Sequence, residues 1–331
     1  MKIDSVGVIG GGAWGTALAQ TLRVAGRNVV LWAREAETVA DINDRHVNRT
    51  FLPGVALDPG LRATGSLSEL TALDCVLMVA PAQHVRTVAG ELAPLMRPSQ
   101  PLVMCAKGIE QASGKLMGAV IAETMPQVTL AVLSGPSFAA DVARGLPAAL
   151  TIACESESMG RILAERLGYR HFRIYWSSDV IGVELGGAVK NVLAIAAGIV
   201  DGKGLGASAH AALVTRGFAE LRRFGEAFGA RPETLIGLAG LGDLVLTCGS
   251  PQSRNMSLGR ALGQNQRLED VLGARRAVTE GVYTAAAVVK LARSKGVEMP
   301  IAEAVHAIVA DRISVDEAIA ALMQRPLKAE D

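Results

Sequence analysis

Through its first 175 residues the chain repeats one pattern: a short β-branched apolar run, a turn carrying Gly or Pro, then apolar residues recurring at helical spacing. The runs predict strands at Ser5–Ile9, Asn28–Trp32, Cys75–Ala80, Leu102–Ala106, Val128–Leu133, Ala148–Ala153 and Phe172–Tyr175. Strands that alternate with helices need crossover connections, so the predicted class is α/β, a doubly wound and mostly parallel sheet with helices on both faces. After Tyr175 the strand pattern stops. Trp176, Ser177, Ser178 and Asp179 read as a linker ending in a helix N-cap. Beyond it only helical spacing recurs, at about 179–199, 209–228, 258–262, 284–295, 301–310 and 315–323. The predicted organisation is a sheet domain over 1–178 and an all-α domain over 179–331, with the polar residues Gln324 to Asp331 expected to fray.

Length agrees with that division, since 331 residues make two domains at about 150 residues each. Half of the residues are hydrophobic and 20% are charged, which excludes a disordered chain. Aromatics are only 4% while Gly numbers 36, so the cores must be built from small and branched aliphatic residues packed closely. The formal charge of +1 excludes a general attraction to nucleic acid or anionic lipid, and any anion must be captured by a local site. The pairs Arg222, Arg223 and Arg275, Arg276 are isolated and read as solvated helix faces. Cys75, Cys105, Cys154 and Cys248 are far apart and form no C-x-x-C, as expected of reduced residues in a cytoplasmic protein. Met1 to Gly12 lacks the pattern of a secretory signal. The apolar stretch from Val180 to Val200 has the length of a membrane span, but it holds Glu184, Lys190 and Asn191. A mid-span charge costs about 2.5 to 3.5 kcal/mol, which favours a helix buried in protein over a membrane span. His46, His84, His171, His210 and His306 are scattered without ligand spacing, and no metal site is expected.

Candidate chemistry begins at the first strand. Val6, Val8 and Ile9 run into Gly10, Gly12 and Gly15, a G-x-G-x-x-G that leaves a strand and opens a helix; Asn28–Trp32 supplies the returning strand. That complete unit is the Rossmann-type dinucleotide fingerprint. Gly10 allows the tight turn, Gly12 the approach of a pyrophosphate and Gly15 close helix packing. At the end of the second strand, where an acid would bind the ribose of NAD, stand Ala33, Arg34 and Glu35. An arginine there can hold a 2′-phosphate, so NADP is the expected preference over NAD, with Glu35 carrying the opposite charge.

Further segments are placed for chemistry. Cys105–Gly108 ends a strand, and Ser134–Phe138 leaves another, with Pro136 fitting a first helical position. Lys190, beside Asn191, lies in the apolar helix, where burial would make its ammonium a better proton donor near neutral pH. A lysine whose stem packs and whose head reaches water fits the same spacing, and Glu184 is six residues away rather than an i,i+4 partner. Asp243, in Gly240–Leu244, would share a helix face with Thr247, or be a solvated turn carboxylate. Ser253, Arg254 and Asn255 offer hydroxyl, guanidinium and amide donors to an anion, or form an exposed turn.

Six segments together resemble one family. G-G-G-A-W-G-T-A-L-A from Gly10, A-K-G-I-E from Ala106, S-G-P-S-F-A from Ser134, V-K-N-V from Val189, G-L-G-D-L from Gly240 and S-R-N from Ser253 stand in the order found in bacterial glycerol-3-phosphate dehydrogenases. The resemblance implies a cytoplasmic enzyme that reduces dihydroxyacetone phosphate to sn-glycerol 3-phosphate with NAD(P)H for phospholipid synthesis; separately, the Gly- and Ala-rich second domain would suit close helix packing in a homodimer. It also implies that Lys190 exchanges the proton at the substrate oxygen, with Lys107 and Asp243 beside it in the catalytic set. Substrate contacts would be Lys107, Gly135, Ser137, Lys190, Asp243, Ser253, Arg254 and Asn255. Beside Gly10, Gly12 and Gly15, the cofactor would be lined by Ala13, Trp14, Arg34, Lys107, Ala139, Arg254, Val278 and Glu280. The chain departs from the family's frequent G-x-N-x-K-A-A-L at Gly206–Leu213, where Ser208 and His210 stand, and neither is placed in the site. Two rivals remain from the fold fingerprint alone: a 6-phosphogluconate or hydroxyacid type dehydrogenase, and a non-catalytic NADP(H) sensor. The G-L-G-D-L and S-R-N segments argue against the first, and turnover would exclude the second.

Overall fold

The structure, a computed structural model, describes residues 2–274 and 278–326. The Arg275, Arg276 pair and the closing residues 327–331 lie outside the described residues. Among the described residues ten strands occur in chain order: β1 (Ser5–Ile9), β2 (Asn28–Trp32), β3 (Val47–Asn48), β4 (Leu52–Ala56), β5 (Arg62–Thr64), β6 (Cys75–Met78), β7 (Pro101–Met104), β8 (Thr129–Ser134), β9 (Ala148–Ala153) and β10 (Phe172–Ser177). Eight of them form one sheet in the order β10-β9-β8-β7-β6-β1-β2-β5, and β3 pairs with β4 in a separate hairpin. Within the sheet only β8 and β9 run antiparallel. The middle strands are buried on both faces, which is why β1, β6 and β7 read as near-continuous apolar runs. Because β1 lies between β2 and β6, the strand order reverses there, and the crevice beyond the carboxyl ends of β1 and β6 is where such sheets take their ligands.

The structure moves several expected boundaries. β10 continues through Trp176, whose Nε1 donates to the Cys154 carbonyl at 3.2 Å, so the connection shrinks to Ser178 and Asp179. Asp179 is the N-cap of the next helix: Oδ1 accepts from the Gly182 N–H and Oδ2 from the Arg231 N–H, each at 2.8 Å. The helix expected around 258–262 spans Arg254–Gly263, which brings Arg254 and Asn255 into its first turn. Pro136 does not open a helix; the short helix begins at Ala139.

Val180–Gly202 is the axis of the second domain. It is long and apolar enough to cross a membrane, yet every residue from Leu185 to Val200 is buried by surrounding helices. Its closest partner is Arg254–Gly263, and the two backbones meet through glycines: a Cβ on Gly198 or Gly202 would overlap the carbonyls of Met256 or Arg260, and one on Gly259 would overlap the carbonyl of Ile195. That contact fixes the first turn of one helix against the middle of the other. A second tie joins the domains, where Glu184 accepts from the Gly118 N–H at 2.6 Å at the start of the sheet-domain helix Met117–Thr124. Burial raises the Glu184 carboxyl to about 7, and the Gly118 bond opposes the rise.

Gly259→Ala should force the two helices apart and cost about 1 to 3 kcal/mol in overpacking. Gly90→Ala, in a helix where the added methyl meets nothing within 4 Å, should instead gain up to about 1 kcal/mol of helix propensity. Urea unfolding of both variants checks the pair; a neutral or stabilising Gly259→Ala would contradict the proposed contact.

Candidate functional site

The glycine turn sits at the carboxyl end of β1. Gly10 has φ +125°, a conformation closed to other residues, and a Cβ on Gly15 would overlap the Gly10 carbonyl. The helix Ala13–Val24 starts at Gly12 with no side-chain cap and no acid in its first turn, so its leading N–H groups are left for an anion. Space above Gly12 is open, with nothing within 4 Å of its missing Cβ. Ala13 and Trp14 are half-buried in that turn, and the Trp14 Nε1–H is buried without a hydrogen-bond partner among the described residues. Arg34 follows β2, exposed, and its guanidinium pairs with Glu35 Oε1 at 2.9 and 3.1 Å.

A buried ion cluster joins the end of β7 to the helical domain. Lys190, 7% exposed on the long helix, donates to Asp243 Oδ1 and, at 2.9 Å, to the Thr247 hydroxyl. Asp243 is fully buried, and its other oxygen accepts from Lys107 Nζ at 2.6 Å. Lys107 leaves the end of β7 and also donates to the Gly135 carbonyl at 3.1 Å, so both domains contribute to one cluster. Thr247 donates to the Asp243 main-chain carbonyl at 2.6 Å, one turn along the helix Asp243–Cys248. Burial lowers the Lys190 ammonium to about 8; Asp243 opposes the fall and the Lys107 charge adds to it. The solvent-reaching lysine and the solvated turn carboxylate, both open at the level of spacing, do not occur.

Gly135 has φ +148° and its missing Cβ faces the Leu150 Cα at 2.9 Å, so the turn after β8 packs its backbone directly on β9. Ser137 donates to the Gly135 carbonyl at 3.2 Å, and Ala139 opens the next short helix, half-buried. Ser253 is the buried N-cap of Arg254–Gly263. Arg254 follows it, exposed. Asn255 is held at both ends, its amide nitrogen donating to Asn191 Oδ1 and its oxygen accepting from the Gly281 N–H, each at 3.0 Å. Glu280 reaches the other domain, where Oε1 accepts from the Ala82 N–H at 3.1 Å. Its Oε2 is buried without a hydrogen-bond partner among the described residues, and so is Thr284 Oγ1; both line the wall at Gly108. Val278 is half-buried just before Glu280. Burial pushes the Glu280 carboxyl up, while the Ala82 bond and the Arg254 charge pull it back.

Spacing did not single out Gly187. A Cβ at Gly187 would lie 2.8 Å from Ser134 Oγ and 3.3 Å from Lys107 Cγ, so that glycine makes the groove in which the lysine stem lies. Ser208 is exposed and His210 half-buried on the helix Gly206–Ala227.

A doubly wound sheet with an uncapped glycine turn at its switch point, closed by a helical domain that presents a buried lysine, defines a dinucleotide-dependent dehydrogenase. Family models agree: residues 5–160 match the N-terminus and residues 179–320 the C-terminus of NAD-dependent glycerol-3-phosphate dehydrogenase. The chain belongs to that family. It is 60% identical over 325 residues to the glycerol-3-phosphate dehydrogenase [NAD(P)+] of Parvibaculum lavamentivorans, covering 98% of each chain. It superposes with a TM-score of 0.93 on the crystal structure of glycerol-3-phosphate dehydrogenase from Coxiella burnetii, at 39% identity over 97% of this chain and 99% of that one. D-mandelate dehydrogenase in complex with NADH shares only the fold, at 14% identity, a TM-score of 0.63 and coverage of 93% of this chain and 98% of that one.

Proposed function

We propose that the protein catalyses the reversible NAD(P)H-dependent reduction of dihydroxyacetone phosphate to sn-glycerol 3-phosphate, supplying glycerophospholipid synthesis. The observation that carries the reading is the buried Lys190–Asp243–Lys107 cluster, set where the strands of the sheet domain end against the helical domain. When bound, the nicotinamide supplies the hydride that the ketone carbon receives. Lys190 donates its proton to the carbonyl oxygen as that oxygen becomes an alkoxide, and in the reverse direction takes it back from the alcohol. Asp243 holds Lys190 in place through one oxygen and Lys107 through the other, while the Lys107 charge keeps the Lys190 proton acidic.

Gly10, Gly12, Ala13, Trp14 and Gly15 would hold the dinucleotide, with Arg34, Lys107, Ala139, Arg254, Val278 and Glu280 along it. The open space over Gly12 and the unpartnered Glu280 oxygen fit such a ligand. Arg34 supports a preference for NADP over NAD; its pairing with Glu35 would have to yield to a 2′-phosphate. Arg254 and the second amide hydrogen of Asn255 would grip the substrate phosphate, with Gly135, Ser137 and Ser253 closing the pocket. The exposed small-residue face of Gly206–Ala227, with Leu205, Ala207, Ala211 and Ala212, supports a homodimer. Four buried, free cysteines support a cytoplasmic setting.

NADPH oxidation should depend on dihydroxyacetone phosphate, with kcat/KM higher than for NADH, and Lys190→Ala should reduce kcat by about 10² to 10⁴ while NADPH still binds. Lys190 must be protonated to donate, so the reductive rate should fall as pH rises through about 8 and the oxidative rate should rise through the same region. An unchanged kcat in Lys190→Ala would make the lysine structural.

A charge-assisted contact contributes about 1.5 to 3 kcal/mol. Arg254→Ala should therefore weaken dihydroxyacetone phosphate about 10- to 150-fold and phosphate-free dihydroxyacetone far less. Equal losses, read from the two KM values, would remove Arg254 from the phosphate site.

A further inference from the structure

Asn48 stands in the β3–β4 hairpin, outside every motif used above, yet it is 1% exposed and touches the glycine turn. Its Nδ2 donates to the Gly11 carbonyl and to Thr16 Oγ1, each at 2.8 Å, and its Oδ1 accepts from the Phe51 N–H at 3.0 Å. The side chain is thus fixed by three partners, and of its two long-range targets one, the Gly11 carbonyl, is a main-chain group in the middle of Gly10–Gly11–Gly12.

That target matters because a trans peptide is planar, so its C=O and the following N–H point in opposite directions. Drawing the Gly11 carbonyl toward Asn48 turns the Gly12 N–H the other way, onto the side where Gly12 is exposed and its missing Cβ meets open space. No acceptor engages the Gly12 N–H among the described residues. A peptide between two glycines has almost no side-chain barrier to rotating as a unit, and nothing in the turn's own composition selects one orientation. Thr16 Oγ1, at 3.4 Å from the same carbonyl, is too distant to set it alone. A lock from outside the turn is required, and the hairpin supplies it.

We propose that Asn48 is a positioning residue for the cofactor: it holds the Gly11–Gly12 peptide in the orientation that offers the Gly12 N–H to the pyrophosphate. The inference rests on the reading of the Gly10–Gly15 turn as the pyrophosphate site. Asn48 itself touches no ligand and acts through the backbone.

Binding titrations with NADPH and ADP-ribose, which carry a pyrophosphate, and with adenosine 2′-monophosphate, which does not, separate positioning from general stability. Asn48→Ala should weaken NADPH and ADP-ribose about tenfold. Asn48→Asp should weaken them more, because a carboxylate oxygen then faces the Gly11 carbonyl. Adenosine 2′-monophosphate affinity and the KM for dihydroxyacetone phosphate should stay within about twofold of wild type. If either Asn48 variant fails to fold, Thr16→Val, which removes the hydroxyl that accepts from Asn48, should shift the two pyrophosphate ligands alone by a smaller factor. Pyrophosphate ligands bound as in wild type, or all three ligands weakened equally, would overturn the proposal. Wild-type protein that binds neither NADPH nor ADP-ribose would overturn the reading of the turn itself, and the inference with it.

Discussion

One buried carboxylate holds two lysines from two domains, and the rest of the site is arranged around that fact. A carboxylate as buried as Asp243 is costly without partners, and Lys107 and Lys190 each take one of its oxygens. The trio carries one net positive charge in a poorly solvated place, which makes one ammonium acidic. Burial alone would push Lys190 down further; the carboxylate limits the fall, and the second lysine keeps it from being cancelled. An acid tuned to about 8 is suited to working in both directions near neutral pH.

Holding the cluster together is the task of the surrounding architecture. Glycines let the helix Arg254–Gly263 lie backbone to backbone on Val180–Gly202, which sets Arg254 and Asn255 at a fixed distance from Lys190. Carboxylates of the helical domain reach sheet-domain donors at three points: Glu184 to the Gly118 N–H, Asp243 to Lys107, and Glu280 to the Ala82 N–H. Burial raises two of these carboxyls, Glu184 and Glu280, while the N–H each accepts from pulls it back. In the sheet domain, the Asn48 hairpin ties down the Gly11 carbonyl beside an uncapped helix start, in a turn that carries no cationic side chain.

The central sheet was legible because its buried strands are long apolar runs bounded by glycines; β1, β2 and β9 start and stop where the pattern does. β3, β4 and β5 were not. They are two, five and three residues long, and β4 carries Pro53 and Gly54, which break the alternation on which a strand reading depends. The same loss hid Asn48, since a polar residue in a short hairpin gives no hint of what it touches. Pro136 misled because a proline at a helix start and a proline two residues ahead of an N-cap look alike in sequence. For the chemistry, spacing could offer Lys190 only its neighbours on one helix, and Glu184 was the wrong one. Its partner Asp243 lies 53 residues away, and Lys107 is 136 residues from Asp243, separations that no local pattern encodes. The resemblance supplied the grouping, and the structure supplies the bonds that explain it.

The central claim is that Lys190 is an acidified ammonium held by Asp243, and its titration can be observed directly. NMR of the protein with reductively ¹³C-methylated lysines, assigned through Lys190→Arg, should show one lysine titrating near 8 in the wild type and lower still in Asp243→Asn, where the opposing carboxylate charge is gone. A Lys190 signal titrating near its ordinary 10.5, unmoved by Asp243→Asn, would contradict the account.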